Sequence, residues 1–263
     1  PEQNMLLQQT YDAFVKNGAN LSDTDKEIFR QYTKGLNLLT LQFGQNVLKE
    51  TNQYQLLIKD KNVLSGLPED LLNTLAENAR KAGKDGWLID LKQTTYTPMM
   101  KYADQRDLRR ELYLAYNTRC MKGGEYDNQE IIKKIVNLRL KIAQLLGYST
   151  YADYVLVHRM AENKKNVYDL LNKLLTAYKP TARKEYEEIQ TYADAIGAYF
   201  EVQPWDWSYY SEKLRSEKYQ INDELLKPYF ELEKVKNGVF GLATRLYGIH
   251  FTKNPKIPVY HPE

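Results

Sequence analysis

Apolar residues recur in steps of three and four along most of the chain. From Ser22, the series Ile28, Tyr32, Leu36, Leu39, Phe43 and Val47 puts its side chains on one face of a long helix. Ser22, with Asp25 three residues on, suits the N-terminal cap. Residues 2–16 read as an earlier helix that stops at Gly18. Further on, the pattern predicts helices over 68–81, 97–103 and 104–120, the last capped by Asp104. Asp127 and Glu130 open the next helix. Its stripe is Ile131, Ile135, Leu138, Ile142, Leu145 and Leu146, and Gly147 ends it. A short helix over 149–158 follows. A long one then runs from Asn163 to Ile196, where Pro180 predicts a kink or break. The last helices fall at 206–219, 223–229 and 231–247.

Two stretches depart from this rhythm. Residues 54–58 and 87–91 are short apolar runs bounded by polar residues and glycine, the signature of short strands. With the helix between them they predict a strand–helix–strand insert over 54–91. Residues 249–263 carry Pro255, Pro258 and Pro262 and read as an extended tail. The fold class is therefore mainly α with a small two-strand insert. No repeat of solenoid length and no Gly/Ser-rich linker divides residues 1–263.

Composition narrows the function classes. The 263 residues carry 37 Lys and Arg against 34 Asp and Glu, and 43% are hydrophobic, as in a globular chain. The small excess of cations is interleaved with acids and gives no nucleic-acid footprint. The longest uncharged run, residues 35–48, is 14 residues, short of the about 20 apolar residues that a membrane span needs. One cysteine excludes a disulfide framework or a Cys-rich zinc module. The first residues show neither a signal-peptide pattern nor a start methionine, as in a mature domain or an excised piece. A cytoplasmic protein is expected, with a periplasmic one left open. Tyrosine is abundant at 22 residues. It serves either to pack helices with its hydroxyl at the rim or to line a polar ligand's path.

Little of the sequence has the spacing of catalytic chemistry. His158, His250 and His261 are far apart, and no His-Glu-x-x-His places two imidazoles on one helix face. Cys120 follows Arg119, whose charge would favour a thiolate, yet no nucleophile motif surrounds it and an inert buried thiol is expected. Neither a P-loop nor a Gly-x-Gly-x-x-Gly occurs, and Gly123-Gly124 reads as a turn. Glu185, Glu187 and Glu188 with Lys184 read as a solvated helix face. So do Asp107 and Glu111 with Arg106, Arg109 and Arg110. The densest aromatic cluster lies at 204–215, Pro-Trp-Asp-Trp-Ser-Tyr-Tyr-Ser-Glu-Lys-Leu-Arg. Its rings fall on several faces, as in a helix that is packed or lines a cavity.

That cluster resembles the segment upstream of the active site in zinc-dependent oligopeptidases of the thimet oligopeptidase family. The segments 226–232 (Leu-Lys-Pro-Tyr-Phe-Glu-Leu) and 238–249 (Gly-Val-Phe-Gly-Leu-Ala-Thr-Arg-Leu-Tyr-Gly-Ile) are similar to the family's next two. Leu64-Ser-Gly-Leu-Pro68, Gly86-Trp87, Tyr96-x-Pro98, the run from Arg109 to Arg119, and Leu145-Leu-Gly-Tyr148 fit in the same order. Trp205-Asp-Trp207, 227–232 and 257–262 look most like the bacterial peptidyl-dipeptidase branch. The resemblance implies a helical lobe of a two-lobed, channel-containing enzyme that uses zinc and takes short unfolded peptides. It also implies that the metal motif follows the segment at His261-Pro262. The chain would then be the N-terminal or central portion of a larger protein, itself inactive and binding no zinc or other metal. It carries no catalytic residue, and Tyr209 and Tyr210 are the candidate substrate contacts on a channel wall. Its partners would be peptides and the C-terminal catalytic portion, with no nucleic acid or membrane. Apolar surface exposed near the C-terminal helices would also allow self-association.

Overall fold

A computed structural model describes residues 1–220 and 223–260, without the side chains of residues 223 and 224. His261 and the end of the tail lie outside the described residues. The chain divides into two units, residues 1–212 and 213–263.

The first unit opens with α1 (Glu2–Lys16) and α2 (Asp23–Gln53). The Ser22 hydroxyl accepts from the Asp25 N–H, so the α2 cap forms as its spacing predicts. Strand β1 (Leu56–Ile58), α3 (Glu69–Lys81) and β2 (Trp87–Ile89) follow, then α4 (Gln93–Tyr102) and α5 (Arg106–Asn117). The strands pair antiparallel, with Leu57 opposite Leu88. The unit's main apolar core is built on this segment: Leu71 and Leu75 of α3, Ile89 of β2, Met99 of α4 and Leu112 of α5 are buried together. Two glycines are required here. At Gly66 (φ +85°) a Cβ would sit 2.3 Å from the Tyr102 carbonyl oxygen, and at Gly86 (φ +119°) 2.4 Å from that of Ile58.

Three boundaries move from their expected places. Helix α4 begins at Gln93 rather than Thr97, running through Pro98. Burial of Thr95, Met99 and Met100 outweighs the poor helix propensity of threonine and proline there. Asp104 does not cap α5; Gln105 takes that position, and the Asp104 carboxylate turns to another partner. Asp127 sits one residue before the assigned cap of α6 (Gln129–Leu145), yet its carboxylate still accepts from the Gln129 N–H at 2.8 Å.

Helix α6 packs along α2. The contact is pinned by a buried amide pair, in which Asn46 donates to Asn128 at 2.9 Å and Asn128 donates to the Phe43 carbonyl at 3.2 Å. After α7 (Tyr151–Leu156) comes α8 (Lys164–Ala195), which is continuous through Pro180 rather than broken. Helix α9 (Pro204–Tyr219) starts in the first unit.

The second unit contains α10 (Asp223–Leu226), a 3-10 turn (Lys227–Tyr229) and α11 (Leu232–Tyr247), which ends at Gly248 in the left-handed conformation. No residue of α11 is buried, and Leu232, Val239, Leu242 and Leu246 are exposed. Residues 249–260 form no helix or strand. No helix among the described residues is long and apolar enough to cross a membrane.

Candidate functional site

The start of α9 is fixed before its aromatic residues come into play. Asp206 is the third residue of the helix. Its carboxylate accepts from the Gln203 N–H at 3.1 Å, while its own N–H bonds the Gln203 carbonyl at 2.8 Å. This reciprocal arrangement satisfies donors that a helix start otherwise leaves open.

The same carboxylate receives two guanidinium groups from α5. Arg106 engages it two-pronged, with Nη2 to Oδ2 at 2.8 Å and Nε near both oxygens at 3.1 Å. Arg109 Nη2 reaches Oδ1 at 2.8 Å. Asp206 is 0% exposed and Arg109 1%. The Arg106–Arg110 face expected to be solvated is thus partly interior. The i to i+4 charge pattern is the same for a solvated face and for one whose partner lies about a hundred residues downstream. Arg109 spends its remaining donors on the carbonyls of Ala103 (2.8 Å), Asp104 (3.1 Å) and Trp205 (3.3 Å). Burial alone would push the Asp206 carboxyl up. The Arg106 and Arg109 hydrogen bonds and the Gln203 N–H outweigh it, and the group titrates below the usual carboxylate range.

Aromatic rings close over this pair. The Arg106 guanidinium lies 3.9 Å from the Phe200 ring centre, and that of Arg109 4.0 Å from the Tyr209 ring. Tyr209 donates its hydroxyl to Asp104 Oδ1 at 2.8 Å, the bond that draws Asp104 away from capping α5. Burial first, and then Asp104, raise the Tyr209 phenol well above its ordinary range. Tyr210 packs edge-on against Tyr209 at 5.0 Å and against Phe200 at 6.3 Å. The two tyrosines singled out from sequence therefore meet at one place and are 8% and 6% exposed. Phe200, Asp104, Arg106 and Arg109 were not legible as their partners, since no local spacing links them.

This cluster clamps α9 to α5 and offers no free nucleophile or proton-transfer group. Cys120 does no better. It is buried with φ +58°, and burial and then Glu50 push its thiol up to about 11. The Arg119 charge stacks on the Tyr116 ring at 3.7 Å and donates to Thr51 at 2.7 Å. His158 lies 3.8 Å from Asp12 on a half-exposed surface. Among the described residues, no group of three or more His, Cys, Asp or Glu side chains could hold a metal ion. The described residues therefore do not fit a zinc site. Two open grooves meet at Phe29 and Arg30 on α2, of about 420 Å³ and 310 Å³. Lys26, Arg30 and Lys34 line them, with Phe14, Phe29 and Leu38, and no carboxylate or histidine does.

Comparison with known proteins finds relatives of this sequence. Residues 99–263 match the sequence profile of Peptidase family M3. Oligopeptidase A of Haemophilus influenzae is 34% identical over 265 residues, covering 99% of this chain and 39% of the relative. Dipeptidyl carboxypeptidase of Escherichia coli is 35% identical over 260 residues, covering 98% of this chain and 38% of the relative. The organellar oligopeptidase A of Arabidopsis thaliana is 38% identical over 241 residues, covering 88% and 30%. The chain thus spans about two fifths or less of the length of these relatives.

Proposed function

The chain belongs to peptidase family M3, and from that premise we propose that it supplies a helical, non-catalytic part of a zinc-dependent peptidase that shortens oligopeptides. The observation that carries this reading is the family match over residues 99–263, joined to relatives named as oligopeptidase and dipeptidyl carboxypeptidase along nearly the whole chain. The inactivity of this chain by itself is supported by its sequence, which contains no His-Glu-x-x-His. On this proposal the metal is held by residues outside the 263, and the chain acts by shaping the path of a peptide. A cytoplasmic location is part of the same proposal.

The release of dipeptides from a free C-terminus is the branch we propose, on the strength of Trp205-Asp-Trp207 and the run from Lys227 to Leu232. A second reading is internal cleavage. It is favoured by the near-equal identity to oligopeptidase A of three bacteria, 34% to 36%. As a further part of the proposal, Tyr209 and Tyr210 meet peptide only through the small edges they expose. Their main contribution is to hold the start of α9, and with it the wall, in place.

The test uses an unblocked nonapeptide, this chain with added zinc, and the product of the complete gene. Products are read by mass spectrometry with and without a chelator. Stepwise loss of C-terminal dipeptides by the complete product alone, stopped by the chelator, supports the proposal. Internal cuts move the reading to the second branch. Turnover by the 263-residue chain, or a tight one-to-one zinc content found by elemental analysis, overturns its non-catalytic assignment.

A further inference from the structure

Helices α2 and α6 run antiparallel, because later residues of α2 meet earlier residues of α6. Asn46 bonds Asn128, a Cβ at Gly35 would meet Leu138 at 3.4 Å, and Lys141 lies over the Tyr32 ring at 5.6 Å. The seam between them is apolar and repetitive. On α2 it is the half-buried series Ile28, Tyr32, Leu36, Leu39, Phe43 and Val47. On α6 it is the buried Ile131, Ile135 and Ile142, with Leu138 between them. Such a seam holds two helices together without fixing how far one is slid along the other. A shift by one turn sets another apolar side chain at most positions, and exchanges among aliphatic side chains of similar size cost little.

One end of the seam is different. Among the described residues of α2, only Asn46 is buried. Its amide donates to Asn128 Oδ1 at 2.9 Å, and Asn128 in turn donates to the Phe43 carbonyl at 3.2 Å. One turn further on, the Glu50 carboxylate accepts from the Cys120 N–H. The Thr51 hydroxyl accepts from Arg119 at 2.7 Å while donating to the Val47 carbonyl at 2.6 Å. Phe43, Asn46 and Glu50 follow at spacings of three and four, on one helix face. The segment they hold, residues 119–128, leads directly into α6. Within it Cys120 sits at φ +58°, a conformation that a residue with a side chain keeps only where its surroundings impose it. Both of its backbone groups are engaged, the N–H by Glu50 and the carbonyl by the Asn128 N–H at 2.8 Å. A slip of one turn would part these pairs and leave two buried amides without partners. Apolar contacts do not penalise such a slip, and buried polar ones do.

We propose that the Asn46–Asn128 pair, backed by Glu50 and Thr51, is a register lock. The apolar seam joins α2 to α6, and this polar end selects one register from those the seam permits. A single buried asparagine fixes the register of paired helices in the same way, at some cost in stability. Slack for a second register lies beside the lock. Gly123 and Gly124 are exposed, at φ +79° and +92°, and a Cβ at either would meet nothing within 4 Å. This turn is therefore free to lengthen or shorten the path into α6. The proposal does not rest on the peptidase reading, and its two amides are already buried within this chain.

The test reads the register directly, on the 263-residue chain. Nitroxide labels are placed by Thr24→Cys, at the start of α2, and Lys134→Cys, toward the start of α6. Both positions are exposed and lie toward opposite ends of the antiparallel pair, and Cys120 is buried out of the label's reach. Their separation is measured by double electron–electron resonance. With the lock intact, a single narrow distance is expected. N46L/N128L is expected to keep the helical circular dichroism and to add a second distance, as one helix moves by one turn, about 5 Å, along the other. N46A/N128A removes the amides without adding bulk and is expected to show the second distance too, so the readout survives if the leucine pair packs badly. A single unshifted distance in both double variants overturns the proposal, since the seam alone would then fix the register. So does a second distance already present in the labelled chain with both asparagines in place.

Discussion

Asp206 carries a charge with no exposure to water because two guanidinium groups share it. Taking the carboxylate away leaves Arg109 buried and uncompensated. D206A is therefore expected to cost about 3–5 kcal/mol of stability, read from denaturant midpoints. The pH dependence has a definite sign. The folded carboxyl titrates below its unfolded value of about 3.9, so the pair's contribution is complete above that value and is lost as pH falls toward the folded one. The stability difference between the native chain and D206N should be constant above about pH 5 and shrink below about pH 4. A difference that grows on acidification would contradict the ion-pair account. Tyr209→Phe keeps the ring under Arg109 and removes the hydroxyl's bond to Asp104, for an expected cost of about 1 kcal/mol. Sequence alone showed Asp206 as a helix-start residue, which it is. It could not show the buried role of Arg109, because local charge spacing does not report a partner 97 residues away.

At the scale of elements, most of the architecture was legible because periodicity of 3.6 survives wherever a helix packs on one side. Helix α2 runs from the cap at Ser22 as its stripe requires, and both strands fall inside the apolar runs that announced them. What failed was local propensity against tertiary burial. The threonines and Pro98 argued against a helix from Gln93, and the core that receives Met99 and Met100 overrode them. Pro180 argued for a break in α8, where the helix continues. The same reasoning gives a stabilising change. Gly44 lies within α2, and a Cβ there would meet nothing within 4 Å. Gly44→Ala is expected to raise stability by about 0.5–1 kcal/mol through lower freedom of the unfolded chain, seen as a higher midpoint of thermal unfolding. Gly66→Ala should do the opposite and by more, since its Cβ would collide with the Tyr102 carbonyl at a positive φ.

Over the whole molecule, burial is uneven, and stability should follow it. The cluster of Leu75, Ile89, Met99 and Leu112 is closed to solvent within the first unit, and the helices that build it share one another's apolar faces. Helix α11 has no buried residue, and its leucines and valines face water. With no apolar face covered, its amides are held chiefly by local helix formation, whose cooperativity over 16 residues is weak. The mid-part of α8 is in the same position, although anchored at both ends. Native-state hydrogen exchange should therefore order the molecule: amides of α3 and α5 exchange last, at rates set by global unfolding, and those of α11 and of residues 168–185 exchange early through local opening. Equal protection across α5 and α11 would mean that the apolar face of α11 is covered in solution. The expected order also accounts for what the sequence left undetermined at this scale. Periodicity marks which face of α8 or α11 is apolar, but the pattern is identical whether that face is already packed or awaits a partner.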